Sequence, residues 1–126
     1  LSGNSGAEFF VVIYHRNHLP IMSANAISES GSAYTIDFTT SSSNTYQGTS
    51  ALSSLAGSKF GMVAGDQNSD GQVNSTDLTN WRVQNGGAFS YTGSSADFNL
   101  DGQVNAVDRN DYQQPNSGKS RQVPSN

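Results

Sequence analysis

Asp66-Gln67-Asn68-Ser69-Asp70-Gly71-Gln72-Val73-Asn74-Ser75-Thr76-Asp77 and Asp97-Phe98-Asn99-Leu100-Asp101-Gly102-Gln103-Val104-Asn105-Ala106-Val107-Asp108 are one pattern written twice, 31 residues apart (97 minus 66). A hard cation takes six to eight oxygen ligands, and a 12-residue loop supplies them from positions 1, 3, 5, 7, 9 and 12, with Gly at 6 for the sharp turn. In the first copy those positions hold Asp66, Asn68, Asp70, Gln72 through its backbone carbonyl, Asn74 and Asp77. In the second they hold Asp97, Asn99, Asp101, Gln103 through its carbonyl, Asn105 and Asp108, and Gly71 and Gly102 fall at position 6 of their copies. The chemistry is that of two Ca²⁺ loops, one ion in each. Mg²⁺ stays open as an alternative, although it demands a stricter octahedral shell. Both copies end in Asp where the general pattern has Glu, so the last carboxylate is too short for the usual bidentate reach without a shift of the following backbone.

Outward from this stretch, each loop leads into a helix. Asn74 or Ser75 caps the first, Leu78 and Trp81 share a face, and Asn85-Gly86-Gly87 stops it. Asn105 caps the second, Val107 and Tyr112 face the core, and Pro115 stops it. Phe60–Gly65, with two glycines, does not read as an entering helix, so neither loop is a complete helix-loop-helix unit. Val73 and Val104, both at position 8, are placed to pair as a short antiparallel bridge that backs one loop onto the other.

The chain before Asp66 reads as β. Glu8-Phe9-Phe10-Val11-Val12-Ile13-Tyr14 is a short continuous apolar run, expected as a strand buried on both faces. Leu19–Ala24 follows as a second strand with Pro20 near its start. Ala33–Thr39 alternates, with Tyr34, Ile36 and Phe38 on one face, and reads as a half-buried strand. Tyr46 anchors the loop after it. Ser50–Ala56 is expected as a short helix or turn ended by Gly57, and Lys59–Ala64 as a strand running into the first loop. The expected architecture is therefore α+β: an antiparallel β-sandwich-like half over residues 1–64, incomplete in strands, then a paired calcium-loop and helix unit over 65–118, then a tail over 119–126.

Composition narrows the function classes. Of ten acidic residues six are proposed ligands, and two bound Ca²⁺ would offset the net charge of −4. The acidity is thus a cation site, not a surface for basic partners. The six Lys and Arg are scattered, against nucleic-acid binding. There is no Cys, hence no disulfide or thiolate site, and no apolar run approaches the 18 residues of a membrane span. With no leader segment visible, the chain reads as a soluble mature product. His15 and His18 form H-x-x-H, yet zinc asks for three or four ligands and no further His or Cys exists. Trp81, Tyr91, Tyr34 and Tyr46 read as core and rim before they read as a sugar-stacking platform. No nucleophile elbow or Ser/His/Asp order is present, and ligated carboxylates are poor acid–base groups, so the reading is non-enzymatic.

The duplicated D-x-N-x-D-G-x-V-N-x-x-D followed by a helix resembles the dockerin type I repeat, the calcium-binding half-EF-hand of cellulosome proteins, at every ligand position. The resemblance implies attachment to a cohesin-type receptor domain, although the second helix, Asp108-Arg109-Asn110-Asp111-Tyr112-Gln113-Gln114, lacks the apolar face of that family. A broader resemblance rests on His15-Arg16-Asn17-His18-Leu19, Tyr34–Thr40, Gly61–Asp66, Gly118-Lys119-Ser120 and Gln122-Val123-Pro124. These are similar to C-terminal modules of large secreted proteins of Bacteroidetes-type bacteria, labelled adhesin or hemagglutinin. Together they imply an extracellular or cell-surface module stabilised by calcium. The expected function is self-association into a fibre or surface layer through strand donation between identical subunits, or attachment to a separate protein partner. Glycan binding ranks third.

Overall fold

The computed structural model describes residues 7–87 and 95–124. Strands β1 (Val12–His15) and β2 (His18–Met22) form one two-stranded sheet, and β3 (Leu52–Leu55) and β4 (Lys59–Met62) form another. Helix α1 (Ser75–Gln84), a π-helical segment (Asp108–Gln113) and a final helical turn α2 (Gln114–Asn116) follow. The class is α+β as expected, but two-stranded ladders are the full extent of sheet among the described residues, where a sandwich was anticipated. The chain divides into two compact units, one centred on Ile21–Gly61, the other made of Tyr14–Pro20 and Met62–Arg121.

In the first unit the β3–β4 hairpin replaces the helix or turn expected over Ser50–Ala56. The Gly57 that suggests a helix end instead sits in the hairpin loop, at φ 70°, followed by Ser58 at φ 56°. A left-handed glycine serves either purpose, and pairing with Lys59–Met62 decides between them. Over Ala33–Thr39 the expected alternation of burial is present, ending in buried Phe38, but no ladder forms beyond an isolated bridge between Ser30 and Ala33. Asp37 offers the backbone a competing local turn, its Oδ1 accepting from both the N–H (2.7 Å) and the hydroxyl (2.6 Å) of Thr39. These same two bonds, hydroxyl first, hold the Asp37 carboxyl below the usual carboxylate range. At Tyr46, which is half-buried, the loop is held by a 2.8 Å backbone bond from its N–H to the Met22 carbonyl, and the ring joins neither apolar cluster.

The run Glu8–Tyr14 is not a core strand. Phe9, Phe10, Ile13 and Tyr14 are exposed at 37, 55, 38 and 72%. An apolar run records which side chains are suited to burial, but not whether the rest of the fold supplies a layer to bury them, and here the described residues leave it at the surface.

The second unit has two apolar clusters. One joins Ala64, Trp81, Ala96, Phe98 and Val104, with Leu78 and Tyr112 against it; the other joins Leu19, Val63 and Val73. Val73 and Val104 are thus both buried but do not pair. Val73 exchanges bonds with Lys119 and Gly118, whereas Val104 exchanges them with Gly87 and Gly86. Each valine thus gives a different segment the two backbone groups that the bridge would have used. Val107 is 43% exposed and points away from the core that Tyr112 joins. Nor does Pro115 stop the helix, which continues to Asn116. A proline inside an α-helix removes an N–H and crowds the carbonyl four residues back. The preceding turn is π-wound, with the Gln114 N–H bonded to the Arg109 carbonyl five residues earlier. Tyr91 and the lead-in Leu1–Gly6 lie outside the described residues.

Candidate metal centre

The two loops share one hydrogen-bond frame, their equivalent distances agreeing within about 0.2 Å. The carboxylate at position 1 closes the turn: Asp66 Oδ1 and Oδ2 accept from the N–H groups of Asp70 (3.1 Å) and Gly71 (3.0 Å), and Asp97 accepts from Asp101 (3.1 Å) and Gly102 (3.0 Å). At position 5, Asp70 and Asp101 each accept from the N–H two residues on, both at 2.9 Å. Asn68 and Asn99 donate to these same carboxylates at 2.8 and 2.9 Å. The position-6 glycines carry φ of 86° and 89°, the left-handed turn expected of them. Position 4 is left-handed as well, with Ser69 at φ 58° and Leu100 at φ 64°, a conformation that costs about 1 kcal/mol or more for a bulky side chain.

Position 12 has a different task. Asp77 Oδ1 accepts from the N–H of Gln67 (2.8 Å) and Asn68 (3.4 Å), and its Oδ2 from Asn74 (2.8 Å). Asp108 repeats this with Phe98, Asn99 and Asn105. The short carboxylate is therefore the brace that joins the loop's entrance to its exit. It also closes a capping box, because Asn74 Oδ1 accepts from the Thr76 N–H at 2.7 Å and Asn105 Oδ1 from Val107 at 2.8 Å. Both expected caps are thus in place.

Asp66, Asp77, Asp97 and Asp108 are at most 1% exposed. Burial of carboxylates is costly unless hydrogen bonds or a cation compensate. Burial pushes the Asp66 carboxyl above its usual range; the Asp77 and Asp70 charges add to this, while the Gly71 and Asp70 amides oppose it. Among the described residues no three His, Cys, Asp or Glu side chains form a ligand group by themselves. The pattern expects amide and carbonyl oxygens of Asn68, Gln72 and Asn74, and of Asn99, Gln103 and Asn105, to complete each set. An all-oxygen donor set around crowded, buried carboxylates fits a hard divalent cation.

The halves are cross-braced. Trp81 Nε1 donates to the carbonyl of Asn105, at position 9 of the second loop, at 2.9 Å; Gln113 Nε2 donates to that of Asn74, at position 9 of the first, at 3.2 Å. Trp81, packed in the core with the Arg109 guanidinium 5.8 Å from its ring centroid, presents no platform for a sugar. His15 and His18 meet edge-on at 4.6 Å with no third ligand among the described residues. Burial, with His15 and Arg16 nearby, lowers His18 to about 4, so it is neutral at pH 7.

Sequence reasoning missed residues that touch the loops. Asn17 and Arg16, in the β1–β2 turn, bond to both of them. A contact across 80 residues leaves no local signal. Phe98 and Ala96 carry core packing from inside and beside the second loop, where polar composition hides them.

No curated protein and no solved structure matches the chain. Residues 64–111 match the family model of the Dockerin type I domain, a non-catalytic, calcium-binding attachment module whose partners are cohesins. Both loops and the whole of α1 therefore lie in a stretch similar to the Dockerin type I domain.

Proposed function

We propose that the loop unit is a calcium-dependent attachment module of an extracellular or cell-surface protein, holding one ion per loop and presenting its helices to a protein partner. Asp66, Asn68, Asp70, Gln72, Asn74 and Asp77 hold the first ion; Asp97, Asn99, Asp101, Gln103, Asn105 and Asp108 hold the second. The observation that carries this is the repetition of one hydrogen-bond frame around buried carboxylates in both loops. Calcium, when bound, supplies charge compensation that these carboxylates otherwise lack. An ion that binds only the folded state adds RT ln(1 + [L]/Kd), about 2.7 kcal/mol at roughly a hundredfold excess over Kd. Calorimetric titration with CaCl₂ should give two sites, and EDTA should lower the melting temperature. An unchanged melting curve in EDTA overturns the reading.

A second reading, self-association through strand donation, is favoured by the exposed Phe9, Phe10, Ile13 and Tyr14 in and beside β1. An exposed apolar strand is a template for further pairing. Sedimentation that remains monomeric with and without calcium removes it.

A further inference from the structure

The β1–β2 turn lies outside the stretch similar to the dockerin domain, yet it is bonded to both loops. Asn17 is 0% exposed and fully satisfied. Its Nδ2 donates to the carbonyls of Ser95 (3.1 Å) and Asp97 (2.8 Å), at the entrance of the second loop. Its own carbonyl accepts from the Gly65 N–H at 3.1 Å, at the entrance of the first. Its Oδ1 accepts from Nδ1 of the neutral His18 ring at 2.7 Å. One residue back, the Arg16 carbonyl accepts from Ser69 Oγ at 2.6 Å, at position 4 of the first loop. The turn is held in turn by β2, where the Leu19 N–H bonds to Val63 O at 2.8 Å and His18 bridges to Ala64.

An amide has two N–H donors and one carbonyl acceptor, and here all three are used in a site closed to water. An entrance residue determines where the position-1 carboxylate stands, and Asp66 and Asp97 are the position-1 residues.

We propose that Asn17 is a positioning residue for both cation loops at once, so that the β1–β2 turn is a third component of the binding unit. The Arg16–Ser69 bond adds a contact to the first loop alone. This rests on the calcium reading above, and ligand pre-placement by a shared strut is its substance.

The Gly71 and Gly102 amides donate to Asp66 and Asp97, so their ¹⁵N–¹H resonances report each loop separately. The test is a CaCl₂ titration of the full chain followed at these two glycines. Asn17→Ala should raise both midpoints by about fivefold or more. Ser69→Ala should raise the Gly71 midpoint and leave Gly102 unmoved, a difference that general destabilisation does not produce. Asn44→Ala, which removes a bond to the Asp37 carbonyl in the other unit, should move neither. If Asn17→Ala does not fold, Ser69→Ala decides. Unmoved midpoints in Asn17→Ala, or an unmoved Gly71 in Ser69→Ala, overturn the proposal while calcium binding stands. Wild-type glycines that ignore calcium remove the calcium reading itself.

Discussion

The indole Nε1 of Trp81 donates to the backbone carbonyl of Asn105 at 2.9 Å, so a core residue of α1 secures the exit of the second loop. Trp81→Phe keeps an aromatic ring in the cluster but leaves that carbonyl without its donor and the smaller ring a partial void. The expected loss is about 2 kcal/mol of unfolding free energy, measured by urea denaturation. An unchanged midpoint shows that the indole bond is dispensable.

Positions 5 and 12 should separate in chelator. Asp77 accepts from three backbone N–H groups, and an Asn there offers one acceptor oxygen where two are needed. Asp77→Asn should therefore cost about 2 kcal/mol or more even in EDTA. Asp70 is exposed, and Asp70→Asn should change the EDTA melting curve little while abolishing most of the calcium-induced rise. Equal losses for the two variants in EDTA contradict the division of labour.

Stability should depend on His18 in mild acid. Its pKa falls from 6.5 to about 4 on folding, so the unfolded chain binds a proton that the folded chain refuses between those values. The contribution is absent above pH 6.5 and destabilising as pH drops towards 4, by an amount on the order of 3 kcal/mol. Melting temperatures of wild type and His18→Gln in EDTA, compared at pH 7.5 and 5, test this: the wild type should lose more on acidification.

Two glycines with left-handed φ should differ in sensitivity. A Cβ on Gly65, at φ 120°, would stand 2.9 Å from Val73 Cγ1 and 3.2 Å from Gln113 Cα, whereas one on Gly102, at φ 89°, meets nothing within 4 Å. Gly102→Ala should cost about 1 kcal/mol from backbone strain alone. Gly65→Ala should cost about 3 kcal/mol or more, because backbone must also move. Chemical denaturation of both variants orders them.

What was legible in the sequence follows the range of the interactions involved. Gly71 and Gly102, the Asn74 and Asn105 caps and the Leu78–Trp81 face are decided within about twelve residues, and the structure has all of them. Position 12 reads as a ligand from its place in the pattern, whereas its bracing of three amides is set by the folded loop. Val73 and Val104 do not form the bridge that their shared position suggests and are buried beside other partners, since hydrophobicity marks a core position but does not name its neighbour. The same limit misplaces Phe9–Tyr14, whose burial depends on a layer that the other described residues do not place over it. Asn17 was beyond reach altogether: a lone Asn in a turn looks the same whether it faces solvent or two distant carbonyls.

The π-helical segment shifts the bracing contact by one residue between the two copies of the pattern. Trp81 stands at position 16 of its repeat, and the residue 31 further on is Tyr112; yet the bond matching that of Trp81 is made by Gln113, at position 17. The wide turn over Asp108–Gln113 delays the helix by one residue, and regular winding resumes in time for the Asn116 amide to reach the Ala64 carbonyl at 2.9 Å. The wide turn thus sets Gln113, one position later in its repeat than Trp81, to brace the opposite loop, while Tyr112 keeps the position of Trp81 against the shared apolar cluster.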